Sequence, residues 1–452
     1  MTALPERKIE IVRRLVESAP DRVVGSLQQA LSATPPEGAL GAVKAVVEAE
    51  VADRNLRNII FQPIAPLCIG GDAPGLSFPP RSLAMMWQAL KTLFPEDVEE
   101  LRRDDFPDPR KRIDAQDRIV AAALEGLRQG SHPDFVAAAG LAESARAGAA
   151  EQLMACLEIS GVVRRATARL AEWIAHPGGE TSAGARLAYR DSVAIADDAG
   201  PRFFHMLAAQ MAHPWMIMRI ISAVMDKPTE RYMKDSEVSS FAEALMDEID
   251  ASIAAIAEMN LEQGPQVGSA GAQRAELAVQ QILEMEASVE LPRDQGWGQR
   301  VVKQRASLAG VIEGRLKEAE RIAIESLPMF APRNQRVRHQ IPLLTEMPDQ
   351  RRVVSAMTLL TFSQDLRSSA NYGGFSSARN KLVDKLGEYI DHYVESVVDL
   401  ARTDEVEDRA IAAAFLETAA AYNHLIRGEK AAEITRRRAH AALARDPQSL
   451  AS

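Results

Sequence analysis

The segment 203–225 brings together side chains that could form a binding pocket. Five methionines, which are flexible and polarisable, lie there beside aromatic and basic groups, so the segment could line an adaptable pocket for an apolar ligand. A helix buried in the core explains the same residues, in which case the guanidinium of Arg219 needs a polar partner. The sequence favours the core helix and leaves the pocket as the alternative. The candidate pocket residues are Phe203, His205, His213, Trp215 and Arg219.

Three aspartates form the pattern D-D-x-x-D at Asp104, Asp105 and Asp108. Carboxylates with this spacing on one helix face can hold magnesium against a diphosphate. The pattern resembles the magnesium-diphosphate motif of all-helical prenyltransferases and terpene synthases, and the resemblance covers these five positions of the chain. Pro107 and Pro109 interrupt a continuous helix there. The sequence therefore favours a solvated acidic loop in which an aspartate caps the next helix.

Two further segments could contact a partner. Arg333, Arg336 and Arg338 make one segment locally basic, and guanidinium groups bind carboxylates and phosphates. The other segment, SSANYGGFSS at 368–377, could present Tyr372 and Phe375 as an exposed recognition tip between helices. A solvated face and a plain helix–helix turn are the alternatives. Because no aromatic residue interleaves with these arginines, the sequence argues against a nucleic-acid partner.

The common catalytic and metal-binding signatures are missing from the sequence. It contains neither G-x-x-x-x-G-K-[ST] nor G-x-G-x-x-G, and it lacks G-x-S-x-G, H-E-x-x-H and C-x-x-C. Di-iron bundles bind their metals with the motif Glu-x-x-His. None of the eight histidines in this sequence has a glutamate three residues before it. We therefore predict no catalytic residue, no cofactor and no bound metal.

The composition is that of an ordinary globular protein of 452 residues, with 46% hydrophobic and 26% charged residues. A net charge of −10 argues against a general nucleic-acid coat or a polybasic membrane binder. Two cysteines cannot make a disulfide scaffold, and no segment approaches the roughly 18–20 apolar residues that cross a bilayer. The start lacks the apolar core of a secretory signal, so we expect a cytoplasmic protein without membrane insertion. The 42 arginines against 11 lysines indicate GC-rich codons and hence a bacterial source.

Helical periodicity runs through almost the whole chain, and strand signals are nearly absent. The sequence therefore predicts an all-α fold, an irregular array of antiparallel helix hairpins with about twelve to sixteen helices. Breaks rich in proline and glycine at 104–109 and 262–271 divide the helical pattern. The predicted units are an N-terminal helical unit over 1–108, a middle helical unit over 109–265 and a C-terminal bundle of longer helices over 266–452.

Two sets of apolar stripes run along predicted helices. The first three helices carry one set. A later helix over 375–401 carries a near-heptad stripe, and its flank around Val394 is the predicted surface of a homodimer. The stripes of the first three helices are Ile9, Val12, Leu15 and Val16; Val23, Val24, Leu27 and Leu31; and Leu40, Val43, Val46, Val47 and Val51.

Long helices, missing catalytic signatures and an alanine-rich composition favour one function class. We expect a non-enzymatic cytoplasmic protein that binds protein partners through helical surfaces, as a scaffold, adaptor or regulator. The alternative is a helical enzyme, or a binder of an apolar small molecule, with its pocket near residues 203–225. The identity of the partner is not encoded in any recognisable motif.

Overall fold

The computed structural model describes residues 5–69, 76–175, 179–225, 228–330, 340–403 and 405–444. These residues confirm the all-α fold, because they form 22 α-helices and one two-stranded sheet. None of these helices is both long and apolar enough to cross a membrane. The chain divides into two compact units, Met1–Asp226 and Lys227–Ser452. The three predicted units, with boundaries near 108 and 265, stay a prediction.

The described part of unit 1 contains thirteen α-helices, with short 3-10 helices at Ala65–Leu67 and Pro214–Met216. The α-helices are α1 (Glu6–Ser18), α2 (Asp21–Leu31), α3 (Gly38–Ile60), α4 (Pro80–Leu93), α5 (Pro95–Arg103), α6 (Pro109–Gln129), α7 (Pro133–Ala145), α8 (Ala149–Glu158), α9 (Ser160–Thr167), α10 (Leu170–Ala175), α11 (Gly179–Ile195), α12 (Ala199–Ala208) and α13 (Ile217–Val224).

The described part of unit 2 contains nine α-helices, of which two reach 31 and 27 residues, as the predicted bundle of longer helices requires. Its two short strands pair antiparallel, with Met329 opposite Pro342. A short 3-10 helix lies at Leu261–Gln263. The other elements are α14 (Glu230–Lys234), α15 (Ser239–Ala257), α16 (Pro265–Ser288), α17 (Gly296–Ser326), β1 (Met329–Phe330), β2 (Ile341–Pro342), α18 (Gln350–Asp365), α19 (Ala370–Gly373), α20 (Ser376–Arg402), α21 (Arg409–Arg427) and α22 (Glu429–Leu443).

The D-D-x-x-D segment is a loop between α5 and α6. Asp104 ends α5 in the left-handed conformation, with φ of 50°, and its carboxylate pairs with Arg112 at 3.0 Å. Asp108 is the N-cap of α6, and its carboxylate accepts a hydrogen bond from the Arg110 backbone N–H at 2.9 Å. The predicted capping role is therefore confirmed.

The segment 203–225 is not one helix, and the single buried helix predicted there is wrong. The chain leaves α12 at Ala208 and re-enters helix through the 3-10 turn Pro214–Met216, because Pro214 cannot continue the hydrogen-bond ladder. His205 consequently lies in α12, whereas His213 lies in the connection just before the 3-10 turn. Such breaks explain why the described residues form more helices than the periodicity predicts.

The predicted linker at 262–271 is also wrong, since α16 begins at Pro265 within it. Gly268 and Gly271 are buried at the packing contact of α16 with α18. A Cβ on Gly268 would lie closer than 3.0 Å to the carbonyl oxygen of Thr358. Glycine here permits two helices to approach closely and does not mark a flexible loop.

The helix predicted over 375–401 is α20, which packs on α17, α21 and α22. Its stripe is buried within unit 2, and Val394 on the supposed dimer flank is only 2% exposed. Tyr389 on the same flank donates a hydrogen bond to the Leu327 carbonyl at 2.6 Å. A homodimer through this flank is therefore wrong, because the chain itself covers the apolar side chains.

Candidate functional site

Of the two aromatic residues in the predicted recognition tip, one is exposed and the other is buried. Tyr372 in α19 is 69% exposed, whereas Phe375 is fully buried at the start of α20. The Phe375 ring packs against Gly373, where even a Cβ would collide with it. Phe375 is therefore a core residue of this turn and not a contact residue. The basic candidates Arg333, Arg336 and Arg338 lie outside the described residues.

Two of the five predicted pocket residues are buried in the interior of unit 1, two are half-buried and one is exposed. Phe203 and Trp215 are buried, and burial lowers the pKa of His205 below its ordinary value. Arg219 donates a hydrogen bond from Nη1 to the Ile174 carbonyl at 2.6 Å, which gives it the polar partner that a core position needs. His213 is exposed, with its ring centroid 5.9 Å from that of Trp215. The pocket itself stays a prediction.

The first three helices form a thin layer that sequence reasoning did not single out. We call α1, α2 and α3 the N-terminal layer. Both α1 and α2 pack on α3. The buried core of the layer consists of Val16, Val24 and Val47, with five partly buried side chains around it. These five are Val12, Ala19, Leu31, Val43 and Val51.

The N-terminal layer leaves an unusual amount of aliphatic surface in solvent. Five large aliphatic side chains within the first 40 residues are between 37% and 63% exposed. Four of them belong to the predicted apolar stripes, so those stripes are only partly buried. We call the set the aliphatic surface: Ile11, Leu15, Val23, Leu27 and Leu40.

Two buried arginines of α3 fix α1 and α2 in place. Arg54 donates from Nη2 to the carbonyls of Val16 at 2.9 Å and Glu17 at 3.2 Å, which satisfies the free end of α1. Arg54 and Arg57 both bind the carboxylate of Asp21, the first residue of α2. The turn between α1 and α2 is thereby tied to α3 by charged hydrogen bonds.

A groove of about 960 Å³ runs along another face of α3. We call it the α3 groove. One wall comes from α1 and the other from the α4–α6 region, and the floor is rich in alanine. The floor residues from α3 are Ala42, Ala45, Val46, Ala49, Ala52, Leu56 and Ile59.

Asp53 joins three helices at the edge of the α3 groove. Its carboxylate accepts hydrogen bonds from Trp87 Nε1 at 2.9 Å, Lys91 Nζ at 2.8 Å and Arg102 Nη2 at 2.8 Å. Burial raises the pKa of Asp53, but the hydrogen bonds and positive charges outweigh this effect, so the pKa lies below its ordinary value. The charged carboxylate therefore holds α4 and α5 against α3.

Replacing Asp53 with asparagine should destabilise unit 1 by about 1–3 kcal/mol at pH 7, because Lys91 and Arg102 lose a partly buried charged partner. The pKa of Asp53 is lower in the folded protein than in the unfolded chain. Its carboxylate therefore stabilises the fold fully at pH values above the pKa of the unfolded chain, and this stabilisation is lost as the pH falls through the pKa of the folded protein. The difference between the parent and Asp53→Asn should therefore shrink below about pH 4. Urea unfolding at pH 7 and pH 3 measures this difference. The exposed Asp114 supplies the control Asp114→Asn, and an equal loss in the control would contradict the role of Asp53.

Within the described residues, no group of three or more His, Cys, Asp or Glu side chains is placed to hold a metal ion. The predicted absence of a metal and a cofactor stays a prediction. Comparisons with protein families, with curated proteins and with solved structures find no match for this chain.

Proposed function

We propose that the protein binds a partner protein through the aliphatic surface, as a scaffold, adaptor or regulator and not as an enzyme. The observation that carries the proposal is the exposure of five large aliphatic side chains over a core of three valines. Ile11 and Leu15 lie one turn apart on α1, and Val23 and Leu27 lie one turn apart on α2, so each helix presents a pair of exposed apolar side chains. Exposed apolar patches are typical of interaction sites. Fully burying a side chain of this size contributes about 1.5–3 kcal/mol. These side chains are 37–63% exposed, so each would add part of that free energy, and a partner that covers several would gain binding free energy from all of them.

The charges around the aliphatic surface indicate the character of the partner. Arg7 and Lys8 lie one helical turn before Ile11, and neither pairs with a carboxylate in the described part of the chain. Unpaired cations beside apolar side chains favour a partner surface that is apolar at its centre and acidic at its rim. The alternative pocket near 203–225 gains no such support, because its aromatic residues fill the core of unit 1.

The double variant Leu15→Ser, Leu27→Ser should weaken partner binding at least tenfold, since it removes two apolar contacts from the aliphatic surface. Leu187→Ser is the matched control, because Leu187 on α11 is 61% exposed and Leu15 is 63% exposed. Partners are identified by mass spectrometry after purification of the tagged protein from its native cells. Binding is then measured with purified components.

Binding that is lost in the double variant and kept in Leu187→Ser supports the proposal. Circular dichroism checks that both variants remain helical. Equal binding by the double variant and the control, or the absence of any protein that binds the purified parent, contradicts it.

A further inference from the structure

The floor of the α3 groove has the spacing of a helix–helix contact. Six floor residues follow one another at steps of 3, 4, 3, 4 and 3 residues, as in the apolar seam of a coiled coil. Ala45, Ala49 and Ala52 are exposed along this line, whereas Val47 and Arg54 belong to the buried side of α3. The six residues are Ala42, Ala45, Ala49, Ala52, Leu56 and Ile59.

The shape and backbone of the α3 groove select the kind of occupant. From Ala42 to Ile59 the floor extends about 26 Å at the rise of an α-helix, and its alanines stay open to solvent. A small-molecule site instead buries about 70–90% of its ligand. An extended peptide binds by adding a strand to the edge of a sheet. The floor of the groove is an α-helix, and its backbone N–H and C=O groups already form hydrogen bonds with one another inside the helix. Small side chains at heptad spacing let a second helix approach closely.

The two walls of the α3 groove differ in charge. Three cations, Lys91, Arg102 and Arg112, and two carboxylates, Asp53 and Asp104, line the α4–α6 side. This side therefore carries an excess of positive charge. Glu17, Glu50 and Arg13 line the side of α1 and the adjoining part of α3. The occupant that matches both sides carries acidic residues on one flank and basic residues on the other.

We propose that the α3 groove binds one amphipathic helix of a partner protein, with its apolar face on the alanine floor and its acidic flank toward Arg102 and Arg112. Arg13 and Glu17 line this groove, while Ile11 and Leu15 of the aliphatic surface do not. The α3 groove is thus a second binding surface, separate from the one in the proposed function.

Site-specific photocrosslinking in the native cells tests this proposal on the full chain. A small diazirine-bearing aliphatic amino acid replaces Ala45, Ala49 or Ala52 in turn, and the exposed Ala121 of α6 serves as the control position. We expect the three groove positions to crosslink one protein at sites three, four or seven residues apart, as on one face of a helix. We expect no such product from Ala121.

Filling the groove with a long side chain provides the second measurement. Ala49→Arg should lower the crosslink yield from position 52 at least tenfold, and Ala121→Arg should leave it unchanged. Circular dichroism confirms that both variants are folded. The Leu15→Ser, Leu27→Ser variant should keep the groove crosslinks, which separates this proposal from the proposed function.

Several outcomes would overturn the helix-binding proposal. These are crosslinked sites two residues apart, a crosslink to a second copy of this chain or to lipid, the same product from Ala121, and no product from any groove position.

Discussion

Replacing Arg164 with alanine should lower the free energy of unfolding of unit 1 by about 3–5 kcal/mol. The buried guanidinium joins α3, α6 and α9, and it donates to Asp117 at 3.0 Å and to the Gln116 side chain at 3.1 Å. It also donates to the carbonyls of Ile59 at 3.2 Å and Ile60 at 2.6 Å. Alanine would leave the carbonyl of the buried Ile60 without its donor, which is costly in an apolar interior. The Ile59 carbonyl would keep the Gln62 backbone N–H at 3.3 Å.

The neighbouring Arg165 is the matched control for this prediction. It is 58% exposed and reaches the same Asp117 carboxylate at 3.6 Å. Since exposed ion pairs contribute little, Arg165→Ala should change stability by less than about 1 kcal/mol. Urea unfolding gives the two free energies, and hydrogen exchange should show faster exchange at the end of α3 only in Arg164→Ala. Equal losses in both variants would show that the buried hydrogen bonds of Arg164 are not what stabilises this contact.

The second large effect is expected at Gly268, where alanine should destabilise unit 2 by about 2–3 kcal/mol. The added Cβ would lie closer than 3.0 Å to the Thr358 carbonyl oxygen and near the Phe362 backbone nitrogen. Both atoms belong to the backbone of α18, so no side-chain rotation can relieve the collision. The two helices must instead move apart and lose contacts along their whole packing surface.

Gly310→Ala tests the same substitution without the collision. Gly310 lies inside α17, and a Cβ there would meet no atom within 4 Å. Alanine should therefore stabilise unit 2 by about 0.5–1 kcal/mol, because it favours the helix more than glycine does. Thermal and urea unfolding should give opposite signs for the two variants. A stabilising Gly268→Ala would mean that α16 and α18 are not packed this closely.

The all-α fold could be predicted because apolar periodicity and proline breaks act locally along the chain. The Asp108 cap is an example, since its effect extends only a few residues. The error at Gly268 arose because glycine serves both turns and close helix packing, and only the position of α18 decides between them. The burial of Val394 likewise depends on neighbouring helices that the stripe alone does not specify.

The candidate site was missed for a related reason. Val23 and Val24 are adjacent, so they cannot both face the centre of one narrow stripe on α2. The apolar residues of α1 and α2 thus cover more of each helix than α3 can bury, and this excess is the signal the sequence offered. Which of the residues would remain exposed could not be predicted, because that depends on how both helices lie on α3.

The thin core of the N-terminal layer has a consequence for its lifetime in the cell. Segments with few buried apolar contacts open locally at a lower free energy than the domain around them. The layer rests on Val16, Val24 and Val47, whereas the neighbouring part of unit 1 buries Phe61, Trp87 and other large rings. We therefore expect the layer to open, and to meet proteases, more often than the rest of the unit. A partner that binds only the closed layer adds its own binding free energy to closure. We therefore expect resistance to degradation to rise with occupancy by the proposed partner.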